Sequence, residues 1–553
     1  MVEPRSGRAD ELTVIGQLLA SRDVLLEKFR QADEIDDLKP LVGLEDNYLA
    51  VYQSGEEVWI VNSIYSFNAY FYAVAGGVFL HGDTVAAVAS QGTVDLSWNQ
   101  EALADLMALG HLVGDDTLVR GVISVPQSSI LHWDGVRLTM RRFHRREFAA
   151  PAPAGDLPTA LIQLFLQGLR AGVGPRPIAT SSSGLDSRVI LAGLLHLDLR
   201  PELLVMGDPG SKDVQIVKAM AAAFGLRVNH VALEAGDYVD HAAKICRLTN
   251  GIKSVDHWHS YFLASKSGYT RDQHVMTGNN GEHVRAAGFD YGALAIGLDY
   301  LSRYDHHLVT DAVLAKYWAM KTHVILRPDE LQRCPESFTS YYGTARQTAK
   351  LMGVMPKDES FVWQSDAFVL EQRRRTFQAC GLRLMSDGFF PYSPYMRRAW
   401  VDAAWDLDLS WRLGSRWHRH AVEVLCPALL DYPEEKEAHR MLRRQRPFAW
   451  APYVKKLHRR PSAVPYMDYA SLLRRKDLLG LLSDHSSALD DFIPRSVVSN
   501  LIDEQLRGGS RTRLVAVLIG IAVWRASLSG APAAQRPHSE RPRLAFAGGP
   551  GAA

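Results

Sequence analysis

Cysteine is scarce in this 553-residue sequence, which contains only four. They are widely spaced, and no two form a CxxC pair. This pattern argues against a disulfide scaffold and against a cysteine-rich zinc site, and it suits a reducing compartment. We therefore expect a cytoplasmic protein. The four positions are Cys246, Cys334, Cys380 and Cys426.

An excess of charge of either sign is also absent. The 62 Lys and Arg residues nearly balance the 61 Asp and Glu residues, which leaves a formal net charge of +1. A near-neutral chain is not a general nucleic-acid coat, so we do not expect nucleic acid as a partner. The hydrophobic fraction of 47% and the charged fraction of 22% are ordinary globular values. They argue against wholesale disorder and against a fibrous chain.

Long hydrophobic runs are missing as well. The longest apolar stretch near the C-terminus, Leu514 to Trp524, is about half of the ~20 residues needed to span a bilayer. The polar start of the sequence leads into no apolar signal-peptide segment. We expect a soluble protein without a membrane partner, in which this stretch forms a buried helix.

The first part of the chain has a β-rich pattern. At roughly 100–200 residues per domain, the length predicts two to four domains. We predict a helix over Glu11–Ala32, and after it short aromatic and β-branched runs separated by turn residues such as Gly76-Gly77. This pattern predicts a β-rich domain over residues 1–147. The Pro- and Ala-rich residues 148–156 predict a linker.

From residue 157 onward, predicted helices and short apolar strands alternate. Helices over residues 157–171, 189–197 and 213–224 alternate with strands at 177–180, 202–207 and 227–233. This order predicts a parallel sheet with helical crossovers. The rest of the second domain, to residue 529, has a mostly helical pattern, and the Ala-, Pro- and Gly-rich tail 530–553 predicts disorder.

The most informative motif is Thr180-Ser-Ser-Ser-Gly-Leu-Asp-Ser-Arg, between a predicted strand and a predicted helix. Small residues let main-chain N–H groups approach an anion closely, with a helix N-terminus behind them. Asp186 lies where a carboxylate would hold Mg²⁺ against phosphate oxygens. The lysine of a Walker A loop is absent, which disfavours a P-loop NTPase. A serine-rich helix N-terminus with ordinary capping is the alternative.

This motif resembles the S-G-G-x-D-S pyrophosphate loop of the asparagine synthetase family, whose enzymes cleave ATP between its α and β phosphates. Ser182, Gly184, Asp186 and Ser187 match the motif, whereas Ser183 replaces its first glycine. The resemblance implies ATP and Mg²⁺ as cofactors and Asp186 as a metal ligand. It assigns ATP binding to the whole segment, namely Ser181, Ser182, Ser183, Gly184, Leu185, Asp186 and Ser187.

A second loop extends the resemblance. Val275-Met-Thr-Gly-Asn-Asn-Gly-Glu-His is similar to the family's S-G-x-G-G-D-E loop, which assigns Gly278 to the nucleotide. Glu282 stands where the family has its second metal-binding aspartate, and its greater length leaves metal placement open. Asn280 and His283 depart from the pattern. A surface turn is the alternative, because Asn and Gly favour turns.

Three further segments look like parts of the same family. The segment from Val205 to Asp213 resembles its second strand, which contacts the adenine side and places Met206 there. Phe390-Pro-Tyr-Ser-Pro resembles the family's P-F-L-D segment. Asp431-Tyr-Pro-Glu-Glu-Lys resembles a later segment whose lysine steadies the adenylate, so Lys436 is a candidate catalytic residue. A solvated lysine beside acidic neighbours is the alternative.

The run Glu371-Gln-Arg-Arg-Arg adds a second catalytic candidate. Glu371 would orient a nucleophile, or Arg373 would bind a phosphate. The alternative is a solvated helix face, which is the commoner role of such a run.

The N-terminal block resembles the family's glutaminase domain without its nucleophile. Members that use glutamine carry a cysteine directly after the initiator methionine, and Val2 occupies that position here. Asn62 and Ser63 replace an Arg-Asp pair of the glutamine pocket. We therefore expect a degenerate, structural sandwich of the Ntn type.

Two family branches share this loss, the β-lactam synthetases and the lasso-peptide cyclases. Both adenylate a carboxylate and let an internal amine attack it. A third group comprises asparagine-synthase-related proteins of unassigned substrate. The Ser-Arg pair after Asp186 and the Gly-Glu-x-x-Arg pattern around Glu282 and Arg285 look most like that group.

Three other clusters have plainer interpretations. Asp256 with His257 and His259, and the group at 305–307, lack the spacing of a repeated metal-ligand set, so we expect structural or substrate-contact roles. We expect His418 and His420 on the surface. The basic stretch 439–476 predicts solvated helices, with RNA or an acidic peptide as the alternative occupant.

The sequence thus predicts an α/β protein with two domains. A glutaminase-like β-rich sandwich precedes a parallel-sheet ATP-pyrophosphatase domain, of the adenine nucleotide α-hydrolase type, with a helical elaboration. The expected reaction adenylates a carboxylate of a small molecule or peptide and couples it to an amine, as in lasso-peptide cyclisation, with a precursor peptide and a protease as possible partners. The alternatives are ammonia-dependent amidation and a non-catalytic nucleotide- or peptide-binding protein.

Overall fold

The computed structural model describes residues 10–148, 155–285, 300–301, 326–354, 361–434 and 466–529. Within these ranges the strands form two antiparallel sheets in the first part of the chain and one parallel sheet later. The predicted tail 530–553 lies outside the described residues.

The chain begins with an edge strand and not with the helix predicted over residues 11–32. Strand β1 (Glu11–Gln17) pairs antiparallel with the strand that starts at Asn47, and its β-branched centre, Thr13 to Ile15, suits an extended backbone. Helix α1 (Arg22–Gln31) starts only after Ser21, whose side chain accepts a hydrogen bond from the Asp23 N–H. The helix prediction was therefore wrong for the first half of this segment.

The two antiparallel sheets pack face to face. The five-stranded sheet has the order β1-β2-β3-β7-β8, and the three-stranded sheet has the order β5-β4-β6. Leu49, Ile60 and Leu131 of the larger sheet share a buried cluster with Tyr72 and Phe79 of the smaller one. The strands are β2 (Asn47–Ser54), β3 (Glu57–Asn62), β4 (Phe71–Ala75), β5 (Val78–Gly82), β6 (Ile123–Ser124), β7 (Ser129–Trp133) and β8 (Leu138–Arg142).

Helices cover both outer faces of this sandwich. Phe29 of α1 stacks on Tyr52 of the larger sheet, with ring centroids 5.2 Å apart. The helices α2 (Lys39–Val42), α3 (Val85–Ala89) and α4 (Gln100–Leu109) follow in the chain. Helix α4 is almost wholly buried in the cluster that contains the outward-facing Phe71 and Leu80 of the smaller sheet. The prediction of a β-rich N-terminal part is confirmed, and the observed layers are helix, sheet, sheet and helix.

The second part contains a five-stranded sheet whose pairings are all parallel. Its order is β11-β10-β9-β12-β13, so the order reverses between β9 and β12. The predicted parallel sheet is confirmed, and it includes a late strand, β13, that the sequence pattern did not reveal. The strands are β9 (Ile178–Thr180), β10 (Glu202–Met206), β11 (Val228–Val231), β12 (His274–Met276) and β13 (Phe390–Tyr392).

Helices pack on both faces of the parallel sheet. Ala179 and Val205 face a cluster with Val189, whereas Ile178 and Val275 face Leu263 on the opposite side. The helices between residues 157 and 265 are α5 (Leu157–Gly172), α6 (Leu185–His196), α7 (Lys212–Phe224), α8 (Asp237–Asp240), α9 (Ala242–Leu248) and α10 (His259–Ser265).

The remainder is mostly helical, as predicted. Leu514 to Trp524 lie in the buried core, and no helix of the described ranges is both long and apolar enough to cross a membrane. A π-helical segment, Val369–Gln378, precedes α15. The helices are α11 (Pro328–Leu331), α12 (Glu336–Thr339), α13 (Ala345–Val354), α14 (Phe361–Phe368), α15 (Ala379–Met385), α16 (Arg398–Trp405), α17 (Leu409–Arg412), α18 (Arg416–Leu425), α19 (Tyr469–Leu472), α20 (Lys476–Asp484), α21 (Arg495–Leu506) and α22 (Thr512–Ser529).

Candidate functional site

Two loops meet at the point where the strand order of the parallel sheet reverses. The first follows β9 and runs into α6, and the second follows β12. In open parallel sheets, ligands bind outside the carboxyl ends of the strands at this switch point. The topology therefore places residues 181–187 and 277–285 together at the expected ligand edge.

The first loop is closed by the Ser187 hydroxyl. Its Oγ accepts from the Ser182 N–H at 3.1 Å and lies 2.8 Å from Ser182 Oγ. The Gly184 N–H donates to Ser182 Oγ at 3.2 Å. Leu185 is 2% exposed and anchors the first turn of α6 beneath the loop. This is a tight turn at a helix N-terminus, the arrangement that suits an anion.

Ser181 and Ser183 occupy different positions in this loop. Ser181 is buried, and its Oγ has no hydrogen-bond partner among the described residues. A buried hydroxyl without a partner is uncommon and consistent with a ligand contact. The Ser183 N–H donates to Asp213 Oδ1 at 2.5 Å, so the first turn of α7 braces the loop from the side.

Glycines of the second loop pack directly on Asp186. A Cβ on Gly278 would lie 3.1 Å from Asp186 Cβ, and one on Gly281 would lie 2.8 Å from Asp186 Oδ1. A side chain at Gly281 would force Asp186 to move, and one at Gly278 would fit only if its neighbours gave way by a few tenths of an ångström. The two loops that the sequence singled out therefore touch each other, and Asp186 is the point of contact.

Asp186 is held by cationic and imidazole groups. Arg285 Nη2 donates to its Oδ1 at 2.5 Å, and His418 Nε2 lies 2.7 Å from the same oxygen. Burial raises the pKa of Asp186, but the contact with His418 and the charge of Arg285 outweigh burial, so the pKa lies below its ordinary value. The Tyr395 hydroxyl donates to the Asp186 main-chain oxygen at 3.1 Å. Asp186 is thus a positioned, ionised carboxylate.

His418 corrects a sequence expectation. It was expected on the surface, but it is fully buried against Asp186. Burial lowers its pKa, which keeps the imidazole neutral at neutral pH. The signal was present in the spacing of α18, because Trp417, Ala421 and Leu425 repeat at four-residue intervals and His418 lies on the buried face that they form.

Glu282 is clamped by the π-helical segment. Gln378 Nε2 donates to Glu282 Oε1 at 2.6 Å, and Arg374 Nε lies 3.6 Å from the same oxygen. Arg374 also donates to Asn280 Oδ1 at 2.6 Å. Asn280 adopts φ +70°, a left-handed conformation that Asn tolerates better than most residues. The departure at Asn280 therefore has a structural role in shaping the second loop.

The same segment corrects the interpretation of the Glu371 run as a solvated face. Arg374 and Arg375 are buried. Glu371 itself is exposed, and the charges that act on it are those of Arg145, Arg375 and Arg142. Arg375 contacts Asp115 at 3.2 Å, on the side of the N-terminal sandwich. In the described residues, no hydrogen bond or ion pair joins Glu371 to Asp186 or Glu282.

The carboxylates of Asp186 and Glu282 fit a magnesium–nucleotide site that has few protein ligands. The described ranges contain no group of three or more His, Cys, Asp or Glu residues arranged to hold a metal ion. Magnesium in nucleotide enzymes commonly uses one or two carboxylates, with phosphates and water completing its shell. Asp186 and Glu282 supply that number. Since Arg285 and Gln378 each occupy one carboxylate oxygen, a metal would use the other oxygen or displace the donor.

Met206 lies at the carboxyl end of β10, beside β9 and its loop. The next residue, Gly207, has φ +125°, and a Cβ there would lie 2.9 Å from Tyr466 Cβ. The Asp208 N–H donates to the Tyr466 carbonyl at 2.9 Å. A cavity of about 380 Å³ opens here, with Asp208, Tyr466 and Leu233 in its lining. The cavity therefore begins at Asp208, two residues beyond Met206, which is not part of its lining.

Lys436 lies outside the described residues, but the segment that leads to it does not. Arg188 is 2% exposed and donates to the carbonyl of Ser183 at 2.7 Å. It also donates to the carbonyls of Tyr432 at 2.8 Å and Pro433 at 2.9 Å. The chain immediately before Lys436 is therefore fixed against the first loop.

No protein-family model matches this chain, and a search of curated proteins finds no match either. The case for a function therefore depends on the geometry of the site.

Proposed function

We propose that this protein is an ATP-dependent amide-forming ligase that resembles the asparagine synthetase family and uses no glutamine. It adenylates a substrate carboxylate, releases pyrophosphate, and couples the acyl group to an amine. The main support is the packing of Gly278 and Gly281 on Asp186, at the switch point of a parallel sheet. Two loops chosen from sequence, about 90 residues apart, would not meet in this way by ordinary helix capping.

In the first step, the loop over residues 181–187 binds the β and γ phosphates through small residues and the α6 N-terminus. The unpaired Ser181 hydroxyl supplies an additional donor. A bound Mg²⁺ would neutralise phosphate charge and favour departure of pyrophosphate. Asp186 and Glu282 are the residues that would hold it, and Lys436 would offset the charge that develops on the reacting oxygens.

In the second step, an amine displaces AMP from the acyl group. An amine within the same small molecule or peptide gives a cyclic product, as in the lasso-peptide cyclases and β-lactam synthetases. Free ammonia, as in simple asparagine-synthase-like amidation, is the other candidate nucleophile.

The N-terminal sandwich supports a glutamine-independent reaction. Asn62 Nδ2 donates to the Pro126 carbonyl at 2.7 Å, and Ser63 Oγ accepts from the Tyr48 N–H at 3.1 Å. Both side chains, which replace the Arg-Asp pair of the resembled pocket, satisfy main-chain groups inside the sandwich. We infer a structural role for this domain.

One observation favours a second candidate, a nucleotide- or peptide-binding protein without catalysis. Asp186 Oδ1 and Glu282 Oε1 are each already bound by protein donors. If these contacts persist when nucleotide binds, the carboxylates serve structure and not metal binding.

The deciding experiment measures binding and chemistry separately. Calorimetry with α,β-methylene-ATP and Mg²⁺ reports binding, and a pyrophosphate-release assay with a panel of amino acids and short peptides reports adenylation. We expect both for the wild type, and loss of pyrophosphate release in Asp186→Asn. Asp198→Asn is the matched control, since Asp198 is exposed at the far end of α6 with φ +57°, which Asn accepts.

Binding without pyrophosphate release from any carboxylate would favour the non-catalytic candidate. Absence of nucleotide binding at millimolar concentration would contradict the ligase and would leave only peptide binding for the non-catalytic candidate.

A further inference from the structure

A second polar cluster lies outside the residues assigned to ATP. His257 Nδ1 is 3.1 Å from Asp256 Oδ1, and Ser254 Oγ donates to the same carboxylate oxygen at 2.6 Å. The His257 side chain is 41% exposed, whereas that of Asp256 is 20% exposed. The hydrogen-bond contacts of the imidazole with Ser254 and Asp256 are both made by Nδ1. An imidazole held at Nδ1 by a carboxylate presents its Nε2 as the basic nitrogen.

This cluster lies at the same edge of the sheet as the two loops. It immediately precedes α10, whose C-terminal end approaches the start of β11, where Asn229 Nδ2 donates to the Ser267 carbonyl at 2.8 Å. The N-terminal end of α10 is therefore at the opposite, carboxyl edge. His259 at that end contacts Tyr466, the residue that packs on Gly207 after β10.

Phe377 connects this cluster to the side chains that bind Glu282. The rings of His257 and Phe377 pack edge to face, with centroids 4.9 Å apart. Lys253 Nζ lies 3.6 Å from the centroid of the Phe377 ring. The next residue, Gln378, donates to Glu282. The adjacent residues Phe377 and Gln378 thus contact His257 and Glu282, respectively.

The cationic side chains beside Phe377 favour a substrate amine that binds in its neutral form. Burial lowers the pKa of Lys253 to about 8, and its Nζ donates to the Phe377 carbonyl at 3.0 Å. The Arg373 guanidinium lies 5.7 Å from the centre of the Phe377 ring. Two cations beside an incoming ammonium would repel it, so an amine would enter unprotonated and would need a base only after it attacks.

We propose that His257 is the general base of the amide-forming step and that Asp256 is its positioning residue. This rests on the proposed function. The amine lone pair forms the C–N bond, the C–O bond to the phosphate breaks, and its electron pair leaves with AMP. The surplus proton on nitrogen passes to His257 Nε2, which gives a neutral amide and an imidazolium stabilised by Asp256. This assigns the base to His257 in place of Glu371, which faces the N-terminal sandwich.

The test separates the two half-reactions. With the carboxylate and amine that give pyrophosphate release, we expect His257→Asn to keep ATP–pyrophosphate exchange within about twofold and to lose amide formation by 10²–10⁴-fold, the usual contribution of a general base. Hydroxylamine should restore acyl transfer in this variant, because after attack its nitrogen is more acidic than that of an alkylamine and loses the surplus proton to water without a protein base. Asp256→Asn should show the same split in weaker form. His196→Asn, on the exposed far end of α6, is the matched control.

A measurement without substrate checks the geometry. In protein labelled with ¹⁵N-histidine, the His257 resonance, assigned by its loss in His257→Asn, should show the Nδ1-protonated tautomer, and Asp256→Asn should remove that preference. An Nε2-protonated tautomer in the wild type would overturn the inference. So would exchange and amide formation that fall together in His257→Asn without hydroxylamine rescue, or amide formation at the wild-type rate. A wild type that neither binds ATP nor exchanges pyrophosphate overturns the proposed function instead.

Discussion

Gly281→Ala tests whether the two loops really meet at Asp186. The added methyl would lie 2.8 Å from Asp186 Oδ1 and 2.9 Å from its Cβ and Cγ. Ordinary contact begins near 3.4 Å, so the carboxylate must retreat by roughly 0.6 Å. That oxygen is 2.5 Å from Arg285 Nη2 and 2.7 Å from His418 Nε2. A retreat of that size stretches these contacts to as much as about 3.1 and 3.3 Å, past the roughly 2.7–2.9 Å that is typical of a charged hydrogen bond.

The magnitude follows from the contact that is lost. A hydrogen bond to a charged group is worth about 1.5–3 kcal/mol, which agrees with about 1–3 kcal/mol for overpacking a well-packed site. If this cost falls on the nucleotide-bound arrangement, the affinity for α,β-methylene-ATP and the rate of pyrophosphate release should each fall by about 10- to 150-fold. If the cost is instead already present without nucleotide, thermal unfolding should show lower stability of the free protein.

Gly480→Ala is the matched control. Gly480 lies inside α20, and a Cβ there would have no neighbour within 4 Å. Alanine should stabilise that helix by up to about 1 kcal/mol and leave nucleotide binding unchanged. If Gly281→Ala binds nucleotide and unfolds as the wild type does, while Asp186→Asn loses pyrophosphate release, the contact between the loops is refuted.

Two further predictions concern the buried groups around the site. Arg188→Met should lower the free energy of unfolding by about 2 kcal/mol or more, because it leaves carbonyls that Arg188 now binds without a donor, and Arg188→Lys should not restore the stability. Urea denaturation followed by tryptophan fluorescence measures this change. An unchanged unfolding midpoint would contradict the prediction. Stability should also fall as the pH drops below about 6.5, the ordinary histidine pKa. Burial lowers the folded-state pKa of His81 to about 4 and that of His259 to about 3. Burial also lowers the pKa values of His283 and His418. A folded-state pKa below the unfolded value stabilises the fold above pH 6.5 and loses that contribution as the pH falls, so melting temperatures that stay constant from pH 7.5 to 5 would show that these imidazoles are not held neutral.

The alternation of strand and helix from residue 157 was enough to predict the parallel sheet, since that pattern is local. The sandwich was also visible in its short aromatic runs. The strand at Glu11–Gln17 was missed because its pairing partner, β2, begins 30 residues later in the register Gln17↔Asn47, and propensity alone does not report such pairing. Strand β13 is only Phe390–Tyr392, too short for a periodic signal.

In the candidate site as well, residues in local motifs were predictable from the sequence and residues brought in by tertiary packing were not. The loops containing Asp186 and Glu282 were found because glycine and serine motifs are local. His418 and Arg374 were missed because what brings them to these loops is tertiary packing of α18 and of the π-helical segment. A difference of about half a turn in helix phase, roughly two residues, decides whether such a side chain faces solvent or the sheet.

The tether made by Arg188 has a consequence for synthesis of the chain. Arg188 and Tyr432 are 244 residues apart. At about 5–20 residues per second on the ribosome, roughly 12–50 s pass between the emergence of the serine loop and that of the carbonyls that hold Arg188 in place. For most of this interval β13 has not emerged, and throughout it Arg188 lacks the carbonyls of Tyr432 and Pro433. A protein truncated before residue 429 would retain the serine motif but would lack the carbonyls of Leu429, Tyr432 and Pro433 that bind Arg188.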